Sequence, residues 1–188
     1  MKNQNKPVVA MGKQQQFQHA AKWFLLVLSV TVGMLLVSDT VSAQQDTVLI
    51  YHPEADASQQ IADGLKQAKA EKKQLLLMVG GNWCRWCRMF EKFKNTNAKV
   101  DSTWKADFVW VHINYSKEVK NLPVLERLDF PQRFGFPVFV ILDENGKRLH
   151  TQNSAYLEEG EGYSEEKVVD FLHQWNRAAL NPAGYNSK

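Results

Sequence analysis

QLLLMVGGNWCRWCRMFEKF, residues 74–93, is the stretch on which the reading of this chain turns. Gln74 to Val79 is short and almost continuously apolar, the pattern of a central strand covered on both faces by helices. Gly80-Gly81-Asn82 breaks it, and a helix is predicted from the cysteines to about Asn95, with Met89, Phe90 and Phe93 as its apolar side. Strand, break and helix in that order place Cys84 at a helix N-terminus. Several backbone N–H groups there lack intrahelical partners, and the aligned peptide dipoles add partial positive charge. A thiolate is stabilised in such a place, and Arg85 and Arg88 add permanent charge. Thiolate is the attacking form in disulfide exchange, so Cys84 is the expected nucleophile. Cys87, one turn on, is the expected resolving thiol.

Other uses of the pair remain open at this point. A structural disulfide between Cys84 and Cys87 would close a loop of only two intervening residues, and the stabilisation gained by cross-linking shrinks with loop length. A structural metal needs four ligands, whereas the 188 residues hold two cysteines in all, so no metal site is expected. Haem attachment would want a histidine where Arg88 stands.

Working outward, the first 43 residues differ from the rest. Lys2, Lys6, Lys13 and Lys22 precede an apolar run from Trp23 to Val37, and Val41-Ser42-Ala43 presents small residues before Gln44. That order is the pattern of a signal peptide cleaved after Ala43. The alternative is an uncleaved membrane anchor over residues 23–37, although 15 apolar residues fall short of the roughly 20 a spanning helix needs. The leader holds four of the 23 basic side chains and one of the 20 acidic ones, so the remainder balances at 19 of each. Without a basic stripe, nucleic acid is not an expected partner.

The remainder reads as one α/β domain over residues 58–177, after an extended lead-in over 44–57 and before a tail over 178–188. Val48 to Tyr51 could add an edge strand. Ser58 to Lys73 is a predicted helix, capped by Asp56 or Ser58, with Ile61, Leu65 and Ala68 on one face. Residues 99–105 suggest a helical turn. Asp107 to Asn114 alternates as a strand, with Phe108, Trp110 and His112 on one face and Val109, Val111 and Ile113 on the other. Leu122 to Leu128 is helical and Pro131 ends it. Val138 to Leu142 is a strand, and Asn145-Gly146 signals a two-residue hairpin with both positions at positive φ. Arg148 to Gln152 pairs back. Ser164 caps a last helix whose buried stripe is Val168, Phe171, Leu172 and Trp175.

Gly81-Asn82-Trp83-Cys84-Arg85-Trp86-Cys87 resembles the W-C-x-x-C site of the thioredoxin superfamily. Gly135-Phe136-Pro137 before VFVIL looks like its second hallmark, a cis-proline loop facing the cysteines. Trp83 to Glu91 is similar to the C-terminal domain of DsbD and related exported thioredoxin-like proteins. The resemblance implies a thioredoxin fold, a central mixed sheet flanked by helices, with a redox disulfide between Cys84 and Cys87. It implies Pro137 as the cis residue, a client chain pairing with the backbone of Phe136, and Trp83 beside the site. It also implies a protein-disulfide oxidoreductase, reductase or isomerase, periplasmic or secreted, without a cofactor. Its partners would be protein thiol or disulfide clients and a protein that recycles the motif. The alternatives are a thioredoxin-like binding module with a non-exchanging disulfide, or a specialised reductase for cytochrome maturation or peroxide defence.

Two departures stand out. Thioredoxin usually carries a buried acid six residues before the first cysteine, and here that residue is Met78. Glu91, one turn after Cys87, is either its substitute or a solvent-facing glutamate. Residues 115–134 leave room for an insertion, read as a surface detour in preference to a recognition loop. Trp86, between the cysteines, is a candidate for partner contact. His112 reads as structural, His150 and His173 as solvent-facing, and Trp104, Trp110 and Trp175 as core.

Overall fold

The computed structural model describes residues 49–186, so the expected leader lies outside the described residues. The first helix, α1, spans Ala57–Glu71. Asp56 is its cap: Oδ1 accepts from the backbone N–H of Ser58 at 2.7 Å and of Gln59 at 3.1 Å. Capping of this kind stabilises a helix by about 1 kcal/mol. Lys72 turns into the left-handed region at φ 56° and ends it. Strand β1, Gln74–Gly80, follows and is buried along its whole length. Each fully buried leucine contributes roughly 1.5–3 kcal/mol through removal from water.

β1 is central. It pairs in parallel with β2 (Phe108–Asn114) and antiparallel with β3 (Val138–Leu142), which pairs antiparallel with β4 (Arg148–Asn153). The sheet order is β2-β1-β3-β4. Because side chains alternate along a strand, Leu76 and Met78 face one layer and Leu75, Leu77 and Val79 the other. The first layer is closed by α2 (Arg85–Thr96), α3 (Ala98–Asp107) and α5 (Glu165–Gln174), the second by α1 and α4 (Leu122–Arg127). This is the expected α/β architecture, and the alternation predicted for β2 holds, with Phe108 in one layer and Val109 and Ile113 in the other.

Several expectations need correction. Among residues 49–51 there is no strand; Tyr51 instead enters the first layer, fully buried. The turn foreseen at 99–105 is a ten-residue helix that takes in Asp107, so β2 starts one residue late. Asn97 caps it through Oδ1 and Val100 N–H, 3.0 Å. Residues 115–134 are not simply a surface detour. They contain α4, whose Val124 and Leu125, with Leu128, are buried in the second layer. α4 stops where Asp129 and Phe130 adopt positive φ, and Pro131 opens a 3₁₀ turn, Pro131–Phe134.

The β3–β4 connection runs over five residues, not two. Only Gly146 has positive φ, at 81°. The Asp143 carboxylate accepts from the N–H groups of Asn145 and Lys147, both at 2.9 Å, so an Asx turn displaces the mirror-image hairpin. Ser164 occupies the cap position of α5, yet its side chain caps nothing. His150 is not solvent-facing but stacks on Trp175, ring centroids 4.1 Å apart. Trp104, Trp110 and Trp175 lie at the rim of the core, partly buried.

Candidate active site

The turn after β1 delivers the motif. Cys84 is the N-cap of α2, with extended backbone (φ −80°, ψ 111°), and its Sγ accepts from the backbone N–H of Cys87 at 3.1 Å. That hydrogen bond comes from one of the N–H groups a helix start leaves unpaired, and it is the one that favours negative charge on the sulfur. Cys84 and Cys87 form a disulfide with Cα atoms 5.2 Å apart. Both cysteines are buried: Cys84 is 4% exposed and Cys87 not at all.

The sequence-identified neighbours divide into those at the mouth and one beneath it. Trp83 is 57% exposed, its Nε1–H donating to the Tyr115 carbonyl at 2.7 Å and its ring meeting Phe136 edge-on at 5.5 Å. The Phe136–Pro137 peptide is cis, as expected. Val138, the next residue, pairs with Val79, so Pro137 lies at the end of the sheet from which the motif emerges. Trp86 is half-buried, packing edge-on against Tyr163, whose hydroxyl donates to the Trp86 carbonyl at 3.3 Å. Arg85 is exposed, whereas Arg88 donates to the Asn82 carbonyl at 2.6 Å and fastens the turn.

Glu91 is the residue beneath, and it is not solvent-facing. Its Oε2 accepts from His112 Nε2 at 2.9 Å, and its Oε1 meets Lys94 Nζ at 3.1 Å and Asn95 Nδ2 at 3.0 Å. Burial alone would push its carboxyl up; the bond to His112, that ring's charge, Lys94 and Asn95 outweigh it and bring the pKa down to about 2. A carboxylate that weakly basic is a poor proton acceptor near neutrality, so the place of the missing acid at Met78 is not filled by Glu91 as a base. His112 is the satisfied histidine the strand pattern suggested. Lys94 is only 4% exposed, its ammonium lying 4.6 Å from the Trp104 ring and 5.0 Å from the Trp110 ring.

Two further parts of the site escaped the sequence. Asn82 clamps the lead-in to the motif. Its Oδ1 accepts from the N–H groups of Ile50 and Tyr51, each at 3.0 Å, and its Nδ2 donates to the Tyr51 carbonyl at 2.7 Å. Tyr51 thereby reaches the layer that holds Cys87. Only the short apolar run Val48 to Tyr51 in the lead-in hinted at this.

The family model for a thioredoxin-like domain matches residues 61–159, just over half of the chain. This chain belongs to that thioredoxin-like family. No curated protein matches it. Among solved structures, this thioredoxin-like chain is similar to a disulphide isomerase from Xylella fastidiosa Temecula1, at 28% identity and a TM-score of 0.60 over 67% of this chain and 95% of that one. It is also similar to a thioredoxin from Thermus thermophilus (16% identity, TM-score 0.48, 68% and 92% covered). A third similarity is to the oxidised C-terminal domain of DsbD from Neisseria meningitidis (16% identity, TM-score 0.41, 65% and 97% covered). A thioredoxin-like fold with a C-x-x-C disulfide at a helix start is the apparatus of a thiol–disulfide oxidoreductase.

Proposed function

We propose that the chain is an exported protein-disulfide oxidoreductase, working on protein clients as a reductase or isomerase. The observation that carries the reading is Cys84 at the N-cap of α2, its sulfur already accepting the Cys87 N–H. The 28% identical disulphide isomerase supports the isomerase side of it. Trp83, exposed at the mouth, and the half-buried Phe136 it packs against offer an apolar edge beside the sulfur for a client chain. Export rests on the basic, apolar and small-residue order of residues 1–43. Among the described residues no helix is long and apolar enough to cross a membrane.

Near-burial of Cys84 favours one rival, a binding module whose disulfide never exchanges. A titration against glutathione separates the two. A pair reducible above about −300 mV supports exchange, and one resistant below that supports the module.

The direct test expresses the full chain with Cys84→Ala or Cys87→Ala. Cys84→Ala is expected to abolish exchange, and Cys87→Ala to accumulate mixed disulfides through Cys84. Mass spectrometry of those adducts from the exported fraction identifies the clients and shows whether the recovered protein begins at Gln44. Full activity in Cys84→Ala would overturn the mechanism.

A further inference from the structure

Tyr51 is fully buried, and its hydroxyl finds no hydrogen-bond partner among the described residues. A buried donor left idle is costly and rare, and calls for a reason. Gly80 shows where the hydroxyl points. A Cβ built on Gly80 would lie 2.5 Å from Cys87 Sγ and 2.7 Å from Tyr51 Oη, so the two atoms share one small space and are no more than about 5 Å apart. Glycine keeps that space open. The ring is held from behind by the Asn82 clamp and from the side by His112, edge-on at 5.4 Å.

The ionisable groups around it are occupied, and the two other idle donors of this layer, the Trp104 and Trp110 indole N–H groups, belong to the roof over Lys94. Glu91 and Lys94 on α2 hold each other, His112 on β2 is bonded to Glu91, and Tyr163 donates to the Trp86 carbonyl. Among the described residues Tyr51 is the idle donor that shares its space with the Cys87 sulfur.

We propose that the Tyr51 hydroxyl is a positioning residue for resolution, donating a hydrogen bond to the Cys87 sulfur once the disulfide opens. The inference rests on the exchange reading above. A disulfide sulfur is a weak acceptor, so the hydroxyl is idle in the oxidised form; a thiolate is a strong one. Burial first, then the charges of Glu91 and Tyr163, push the Tyr51 phenol well above its ordinary value, so it stays a donor and does not act as a base.

In client reduction the Cys84 thiolate attacks a client disulfide. The Cys84–client bond forms, the client bond breaks, and one client sulfur leaves as thiolate. Cys87 then gives up its proton, through solvent, to that departed thiolate. The Cys87 sulfur attacks Cys84, forming the Cys84–Cys87 bond and releasing the second client thiolate. The dithiol has lost two electrons and the client disulfide has gained them. Tyr51 keeps its proton throughout and steadies the charge that builds on Cys87.

The test uses reduced protein and 5,5′-dithiobis(2-nitrobenzoate). The coloured thiolate appears in two steps, first on attack by Cys84 and then on resolution by Cys87. Tyr51→Phe is expected to slow the second step about tenfold relative to the first. In a Cys84→Ala background, the pH profile of Cys87 alkylation by iodoacetamide should move up by about one unit in Tyr51→Phe. Replacing Tyr51 with 3-fluorotyrosine, a stronger donor of nearly the same shape, should move it down, which a packing role would not do. Unchanged step ratios together with unmoved Cys87 profiles would overturn the proposal. A parent protein that releases no coloured thiolate would overturn exchange itself, and the Cys87 profiles would still decide Tyr51.

Discussion

On one face of the sheet, Leu75, Leu77 and Val79 meet Val109, Ile113, Val138, Val140 and Leu142 under α1 and α4, and every buried member of that layer is aliphatic. On the other face, Leu76 and Met78 share their layer with Tyr51, Cys84, Cys87, Phe90, Phe139 and Tyr163, and the Glu91–His112–Lys94 cluster lies at its rim. One strand feeds both layers, so the difference comes from what each face is covered with. The aliphatic face has nothing in it that can change charge and serves only to hold β1 in place. The aromatic face accommodates a sulfur pair, a phenol and a carboxylate because rings tolerate polar edges that an aliphatic layer would leave unpaired.

That contrast can be broken in three places. The largest effect is expected from Leu77→Ala, in the aliphatic layer and fully buried. It should lower unfolding free energy in urea by about 3–5 kcal/mol while leaving the Cys87 alkylation profile where it was. A shifted profile would show that the two layers are coupled.

Next is Glu91→Gln, which at neutral pH leaves the buried Lys94 ammonium without its counter-charge. A loss of about 2–3 kcal/mol is expected. The sign of its pH dependence follows from the depressed carboxyl. In the parent protein this stabilisation is complete above the ordinary glutamate value of 4.5 and disappears as pH falls towards about 2. Parent and variant stabilities, followed by urea midpoints from pH 6 down to pH 2, should therefore converge at the acid end. Parallel curves would show that the carboxylate holds nothing together.

Asn82→Ala should have the smallest effect on stability, about 1–2 kcal/mol, because its hydrogen bonds are only partly buried. It should nevertheless raise amide hydrogen exchange at Ile50 and Tyr51 and slow resolution as Tyr51→Phe does. Protected amides at both residues would mean that packing alone holds the lead-in.

The same contrast explains what the sequence made legible. β1, the cysteine-capped start of α2 and the buried stripe of α5 were visible because each is a local pattern: an apolar run, a break before a helix, a 3.6-residue period. Cys84, Cys87 and Pro137 were legible as motifs. α3 was underestimated because Val100 is its only fully buried residue, so its apolar stripe is thin. The turn at 143–147 was misread because the Asp143 carboxylate, two residues upstream of the Asn-Gly pair, competes for the backbone N–H groups. Nothing local tells that Lys94 will be roofed by Trp104 and Trp110, that Glu91 will meet His112 across 21 positions, or that Tyr51 will be tied to Asn82 across 31.

The tie between Asn82 and residues 50–51 bears on how this protein can be trimmed. A minimal fragment cut to the family match, residues 61–159, would keep both cysteines and the cis-proline and would look intact to any motif search. It would have shed the phenol under Cys87, and with it the strap that closes the turn from outside. Such a fragment would carry the recognisable signature of the site while missing the phenol that shares a small space with its second sulfur, so the structural unit around the motif is longer at its N-terminal side than the recognisable one.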